Sequence, residues 1–112
     1  MVRQYLSVEV PSDGFDGFSG ALALGTPEEH VFINPTGNPG MASGGMGDVL
    51  AGILAALLGQ GLSPEDAMKL GVYLHGFVGD RVAAEKCQIG LIASDIIEGL
   101  PPGMQALSTA DR

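Results

Sequence analysis

Residues 34–52 read Asn34-Pro35-Thr36-Gly37-Asn38-Pro39-Gly40-Met41-Ala42-Ser43-Gly44-Gly45-Met46-Gly47-Asp48-Val49-Leu50-Ala51-Gly52, and they decide the fold. Two prolines and two glycines within Asn34–Gly40 exclude both a helix interior and a central strand. After Gly47 the composition changes abruptly. Asp48 to Leu58 is almost wholly apolar, and Gly59-Gln60-Gly61 closes it as a helix end. A helix that is apolar on nearly every side is expected to lie buried inside a domain. The stretch is therefore a glycine-rich loop whose last residues open a buried helix.

Downstream, a second helix opens with a cap. Ser63 suits the N-cap and Pro64 the first helical position, while Glu65 and Asp66 supply the negative first turn that the helix dipole favours. Ala67, Leu70, Leu74, Val78 and Val82 then follow three-and-four spacing, predicting an amphipathic helix to about Lys86. Gln88 to Leu91 interrupts it. Ser94 is expected to cap a last short helix through Asp95, Ile96, Ile97 and Glu98, stopped by Gly99 and Pro101-Pro102, with the tail after Met104 frayed. Upstream, Ala21–Leu24 and Val31–Ile33 are short apolar runs flanking residues 25–30, which predicts a β-hairpin with a polar tip at Glu28 and Glu29. Tyr5 to Val10 alternates like a short strand, Pro11-Ser12-Asp13-Gly14 ends it as a turn, and residues 15–20 read as loop.

Composition narrows the function class. The 112 residues carry five Lys plus Arg against thirteen Asp plus Glu, a formal charge of −8. That balance suits neither nucleic acid nor an anionic membrane, both of which need clustered cations. An apolar share of 46% argues for a folded core, in one domain at this length. The longest apolar stretch, Val49–Leu58, is half of the roughly 20 residues that a membrane span requires. Met1 is not followed by a basic segment leading into an apolar run, so no signal peptide is expected. The single Cys87 cannot form an internal disulfide, which suits a reducing, cytoplasmic compartment. Glycine supplies 18 of the 112 residues, more than twice the usual share of about 7%. Eight of them fall between Gly37 and Gly61, so the excess is local.

The chemistry concentrates in the same loop. Ser43 to Gly47 can turn several backbone N–H groups toward one point, and a helix N-terminus adds partial positive charge there. Small residues let a phosphate or a developing oxyanion approach within hydrogen-bond range. Asp48 stands in the first helical turn, where a carboxylate can simply cap the helix or can act as a base beside the anion site. A tight structural turn and a phosphoryl-transfer loop both remain open on spacing alone. Neither the GxxxxGK[ST] phosphate loop nor the GxGxxG dinucleotide pattern is present, and no Cys/His spacing suits a metal. His75, in mid-helix, reads as a hydrogen-bonded packing residue. Asp80 sits in the half of its helix that the dipole does not favour. Cys87 reads as a small packing residue at a helix end, and Met41 and Met46 as packing around the loop.

Phe32 to Gly52, followed by Leu70-Gly71-Val72-Tyr73-Leu74-His75-Gly76-Phe77-Val78-Gly79-Asp80 and by Ala93-Ser94-Asp95-Ile96-Ile97, resembles the C-terminal part of the ADP/ATP-dependent NAD(P)H-hydrate dehydratases. These are ribokinase-like proteins that repair hydrated nicotinamide cofactors. The resemblance is strongest over residues 31–102. It implies an α/β, ribokinase-like fold, of which residues 20–112 form a partial domain behind a divergent lead of residues 1–19. The short β-hairpin, the buried helix and the amphipathic helix are that domain's C-terminal elements.

Carried over, the family's motif places the general base on Asp48 and the anion hole on the amides of Gly44, Gly45, Met46 and Gly47, with Gly47 meeting the adenine nucleotide. Asn34 and Asn38 would shape the loop or meet the nucleotide. The implied cosubstrate is ADP or ATP with Mg²⁺, the substrate hydrated NADH or NADPH, and no residue is implied as a metal ligand. The family's Lys-Gly pair before the hairpin corresponds here to Phe18-Ser19-Gly20-Ala21, without a lysine. A non-catalytic nucleotide-binding module, or an assembly fragment that keeps the loop, is the alternative. The truncated sheet would leave an unpaired edge, so a homo-oligomer is expected.

Overall fold

A computed structural model of the chain describes residues 6–7, 23–25 and 31–110. Its elements, in order, are β1 (Leu6–Ser7), β2 (Ala23–Gly25), β3 (Val31–Ile33), a 3-10 turn at Pro39–Met41, α1 (Met46–Gly59), α2 (Pro64–Lys86) and α3 (Ala93–Ala110). Most of the described chain is helical. The strands form one antiparallel sheet in the order β1-β2-β3, with Leu6 opposite Leu24, and Ala23, Leu24 and Gly25 opposite Ile33, Phe32 and Val31. The rest of the expected Tyr5–Val10 strand, the turn and loop after it, residues 21–22 and the polar tip with Glu28 and Glu29 lie outside the described residues.

Helix α1 begins at Met46, two residues before the expected start. Gly45, its N-cap, has φ of 88°, a left-handed conformation that sets the helical turn directly behind it. Met46, Leu50, Ile53, Leu54 and Leu57 are buried. Ala51, Gly52, Ala55 and Ala56 are exposed, which corrects the expectation of a helix buried on all sides. The reason is geometric: α2 and α3 cover one face of α1, and no described residue covers the other. The helix ends as expected. Gly61, with φ of 98°, donates to the Leu58 carbonyl, and the Leu62 N–H reaches back to Leu57.

Helix α2 opens on Ser63, whose Oγ accepts from the Asp66 N–H at 3.2 Å, followed by Pro64 at the first helical position. Its buried face runs through Ala67, Met68, Val72, Leu74, His75 and Val78. Leu70, expected on that face, is 43% exposed, because Gly71 and Val72 take the inward positions beside it. A Cβ at Gly71 would stand 2.6 Å from Leu54 Cδ2, so the missing side chain lets α1 and α2 close together.

Helix α3 departs furthest from expectation. It does not stop at Glu98 and fray after Met104, but runs to Ala110 with Pro101 and Pro102 inside it. The two prolines remove N–H donors and leave the carbonyls one turn back unpaired. Ile97, Glu98, Pro101 and Pro102 are all exposed, so those carbonyls face the solvent side and can be hydrated. On the inner side Gly99 and Gly103, one turn apart, both meet Val78, and this contact continues across the prolines. Nor is Ser94 the cap. The helix starts at Ala93, and Asp95 reaches back to accept from the Ile92 N–H at 2.9 Å, half of a capping box. The Asp95 carboxylate also binds Lys86 Nζ at 2.9 Å, tying the end of α2 to the start of α3.

Candidate functional site

The loop between β3 and α1 is held from two directions. Within the loop, Asn38 Oδ1 accepts from the Gly40 N–H at 3.0 Å and initiates the 3-10 turn. From α2, Asp80 accepts from the Gly37 N–H at 3.0 Å and from Asn38 Nδ2 at 2.9 Å. Asn34 is buried and donates to the carbonyls of Thr36 at 3.1 Å and Val72 at 3.4 Å. Thr36 Oγ1 donates to the Tyr73 carbonyl at 3.0 Å. Asn34 and Asn38 thus shape the loop through bonds within the chain. Asp80 is the brace that sequence reasoning missed. A carboxylate in the unfavoured half of a helix, in a chain whose loop carries free amides, was the signal for it.

Glycines on α2 complete the fit. A Cβ at Gly76 would fall 2.7 Å from the Thr36 carbonyl carbon, and one at Gly79 would run into the Met41 side chain. Met41 is therefore packing, as expected. On the far side a Cβ at Gly40 would lie 2.8 Å from Gln88 Cα, so the segment joining α2 to α3 also abuts the loop.

The loop ends in a group of unengaged donors. Among the described residues the amides of Gly44, Gly45, Gly47 and Asp48 find no hydrogen-bond acceptor. The Met46 amide differs from its neighbours: it makes a long turn bond of 3.4 Å to the Ser43 carbonyl, and its side chain is buried. Space around the donors is open, since a Cβ at Gly44 or Gly47 would meet nothing within 4 Å. Gly45 is different, because its positive φ strains any side chain and a Cβ there would crowd the Ala93 side chain at 3.1 Å. The N-terminus of α3 therefore backs the loop.

Asp48 follows directly, exposed in the first turn of α1. It stands beside an apolar groove of about 480 Å³ between α1 and α3, walled by Val49, Ile53, Ile97, Leu100 and Met104. A second cavity, of about 400 Å³, opens between the loop and α2 and is bordered by Gly47, Met46, Asn34, Val72 and His75. Asp48 borders the groove and not the cavity, while Gly47 borders the cavity and not the groove. His75 is 7% exposed, and its Nε2 has no partner among the described residues. Burial lowers its pKa from 6.5, with the Met46 backbone pulling weakly the other way. Cys87, expected to pack, is instead exposed at the end of α2, where φ of 75° turns the chain out of the helix. Among the described residues no three His, Cys, Asp or Glu side chains form a metal cluster. None of their helices is long and apolar enough to cross a membrane.

The NAD(P)H-hydrate dehydratase family model matches residues 21–102. A bifunctional NAD(P)H-hydrate repair enzyme of Moorella thermoacetica is 55% identical over 75 residues, covering 67% of this chain and 14% of that protein. Its Escherichia coli counterpart is also 55% identical, over 82 residues, covering 73% of this chain and 16% of that protein. The crystal structure of the ADP/ATP-dependent NAD(P)H-hydrate dehydratase of Bacillus subtilis, co-crystallised with ATP and Mg²⁺, superposes with a TM-score of 0.73 at 30% identity. That match covers 76% of this chain and 31% of the solved one. The chain thus spans about a seventh of the curated relatives and a third of the solved structure.

Proposed function

The chain belongs to the NAD(P)H-hydrate dehydratase family, and we propose that it carries the nucleotide-and-base part of a cofactor-repair site acting on hydrated NADH or NADPH in the cytoplasm. The observation that carries this reading is the start of α1, where unengaged amides at Gly44, Gly45 and Gly47 stand immediately before an exposed carboxylate at Asp48. Free amides at a helix N-terminus, with open space beside Gly44 and Gly47, fit the phosphate oxygens of a nucleotide. ADP or ATP, with Mg²⁺, supplies the phosphoryl group that turns the ring hydroxyl of the hydrate into a leaving group. Asp48 takes the proton from that hydroxyl as its oxygen is phosphorylated. The Gly44, Gly45 and Gly47 amides donate to the anionic oxygens, stabilising charge with donors that are already in place. Loss of phosphate, with a proton from the adjacent ring carbon, restores the reduced nicotinamide.

A second reading, nucleotide binding without turnover, is favoured by one observation: the chain matches only a third of the solved dehydratase. One experiment separates the two. The full chain is given hydrated NADH, Mg²⁺ and either ADP or ATP, and the return of NADH absorbance is followed alongside nucleotide binding. Recovery that Asp48→Asn abolishes, with nucleotide affinity nearly unchanged, supports catalysis. Binding without recovery supports the module, and turnover retained by Asp48→Asn removes Asp48 as the base.

A further inference from the structure

Asp80 stands where neither its helix nor an anion site has a use for its charge. It lies in the C-terminal half of α2, where the dipole disfavours a carboxylate, and it binds a loop whose free amides suit an anion. Its hydrogen bonds supply the reason. One carboxylate oxygen accepts from the Gly37 N–H at 3.0 Å and the other from Asn38 Nδ2 at 2.9 Å. Asn38 Oδ1 in turn accepts from the Gly40 N–H at 3.0 Å. That last bond starts the 3-10 turn Pro39–Met41, and Met41 seats against Gly79, next to Asp80. Ala42 to Gly45 are exposed, so the path into the donors is set by this turn on one side and by buried Met46 on the other.

The polarity of these bonds is fixed. The Asn38 oxygen is committed to Gly40, which leaves its amine for residue 80, and the Gly37 N–H asks residue 80 for a second acceptor. A carboxylate offers an acceptor in both places, whereas an amide would set one donor against another. We propose that Asp80 is a positioning residue for the phosphate site. Acting through Asn38 and the 3-10 turn, its carboxylate holds the amides of Gly44, Gly45 and Gly47 in the arrangement that an anion meets. The inference rests on the reading of the loop as a phosphate site. Charge and position then pull in opposite directions. Removing a negative charge beside an anion site should, by Coulomb attraction alone, strengthen anion binding. Removing the carboxylate that positions the donors weakens it.

The test is equilibrium binding of inorganic pyrophosphate to the full chain, with the {¹H}–¹⁵N NOE of the Gly44, Gly45 and Gly47 amides as a readout of order that needs no ligand. Asp80→Asn sets an amine against either Asn38 Nδ2 or the Gly37 N–H. Losing one charge-assisted hydrogen bond should cut the ordered population of the loop, and with it the apparent pyrophosphate affinity, about tenfold. The three NOEs should fall with it. Adding Asn38→Asp should restore both at the net charge of the wild type. The new carboxylate then accepts from Gly40 and from the new amide at position 80, whose oxygen accepts from Gly37. Asn38→Asp alone, which opposes two carboxylates, should bind no better than Asp80→Asn. If circular dichroism shows Asp80→Asn to be unfolded, the affinity of the double variant decides. An affinity unchanged or raised in Asp80→Asn, unchanged NOEs, or a double variant no better than the single ones overturns the inference while leaving the phosphate loop intact. A wild type that binds no pyrophosphate overturns the loop reading and the inference together.

Discussion

Gly103→Ala should destabilise the chain, although alanine is the better helix former. In an open helical position the exchange gains about 0.5–1 kcal/mol. At Gly103 the new Cβ would stand 2.6 Å from Val78 Cγ2, about 1 Å inside the ordinary contact distance of roughly 3.5–4.0 Å. Val78 is fully buried, and a β-branched side chain in a helix has one strongly preferred rotamer. Its other methyl already faces Gly99, where a Cβ would lie 2.8 Å away, so rotation offers no relief. Overpacking of this kind costs about 1–3 kcal/mol, leaving a net loss of about 0–2.5 kcal/mol, centred near 1. Gly52→Ala is the control, since a Cβ there meets nothing within 4 Å and the propensity gain should appear in full. Urea unfolding followed by circular dichroism at 222 nm measures both. Adding Val78→Ala to Gly103→Ala should recover part of the loss, with a coupling of about 1 kcal/mol in the double-mutant cycle. Gly103→Ala as stable as Gly52→Ala, with no coupling to Val78, would refute the packing of α3 on α2 through these glycines.

Other outcomes follow from the same contacts. Burial holds the His75 pKa below 6.5, so the unfolded chain takes up the proton first. Stability should therefore be full above about pH 6.5 and fall as pH drops below it, with His75→Gln flattening the urea midpoint between pH 7.5 and 5. The Lys86 ammonium, and then the Ile92 N–H, hold the Asp95 carboxyl below its ordinary value of 3.8. The stability it adds is present above that value and lost as pH falls through the folded pKa, so Asp95→Asn should remove this acid-sensitive part and reduce amide protection at the start of α3. The exposed face of α1 at Ala51, Gly52, Ala55 and Ala56, with Ile33 55% exposed on β3, favours association. Sedimentation at micromolar concentration should show at least a dimer, and a well-folded monomer would end that expectation.

What the sequence made legible was local chemistry. The loop from Asn34 to Gly47, the cap at Ser63-Pro64 and the stop at Gly61 each depend on a residue's own backbone preferences, and those act wherever the chain is placed. What it hid was decided by neighbours. Pro101 and Pro102 read as a stop, yet α3 continues because their freed carbonyls face outward while Gly99 and Gly103 meet Val78. An apolar α1 reads as buried all round, but burial needs partners on both sides, and α2 and α3 occupy one. Leu70 has the right spacing and the wrong azimuth, because the inner stripe of α2 includes glycines that an apolar count passes over. Asp48 and the loop glycines could be singled out in advance as candidates, whereas Asp80 as the loop's brace and the unpartnered Nε2 of His75 needed the fold.

The glycines of this chain serve two purposes that the sequence presents as one excess. Gly44 and Gly47 border open space, where a small residue leaves backbone donors accessible. Gly71, Gly76 and Gly79 border Leu54, Thr36 and Met41, where a small residue lets α2 take in its neighbours. The second group fixes the first. With Thr36 and Met41 seated in α2, and Asp80 binding Gly37 and Asn38, the loop is anchored over its first half before it turns through Gly45 into α1. The donors ahead of Asp48 are thus oriented by α2, through contacts at the opposite end of the loop. Orientation fixed in advance is what makes backbone amides effective against developing charge. The position of Asp48 and its neighbouring donors is accordingly set as much by the notched face of α2 as by the glycine loop itself.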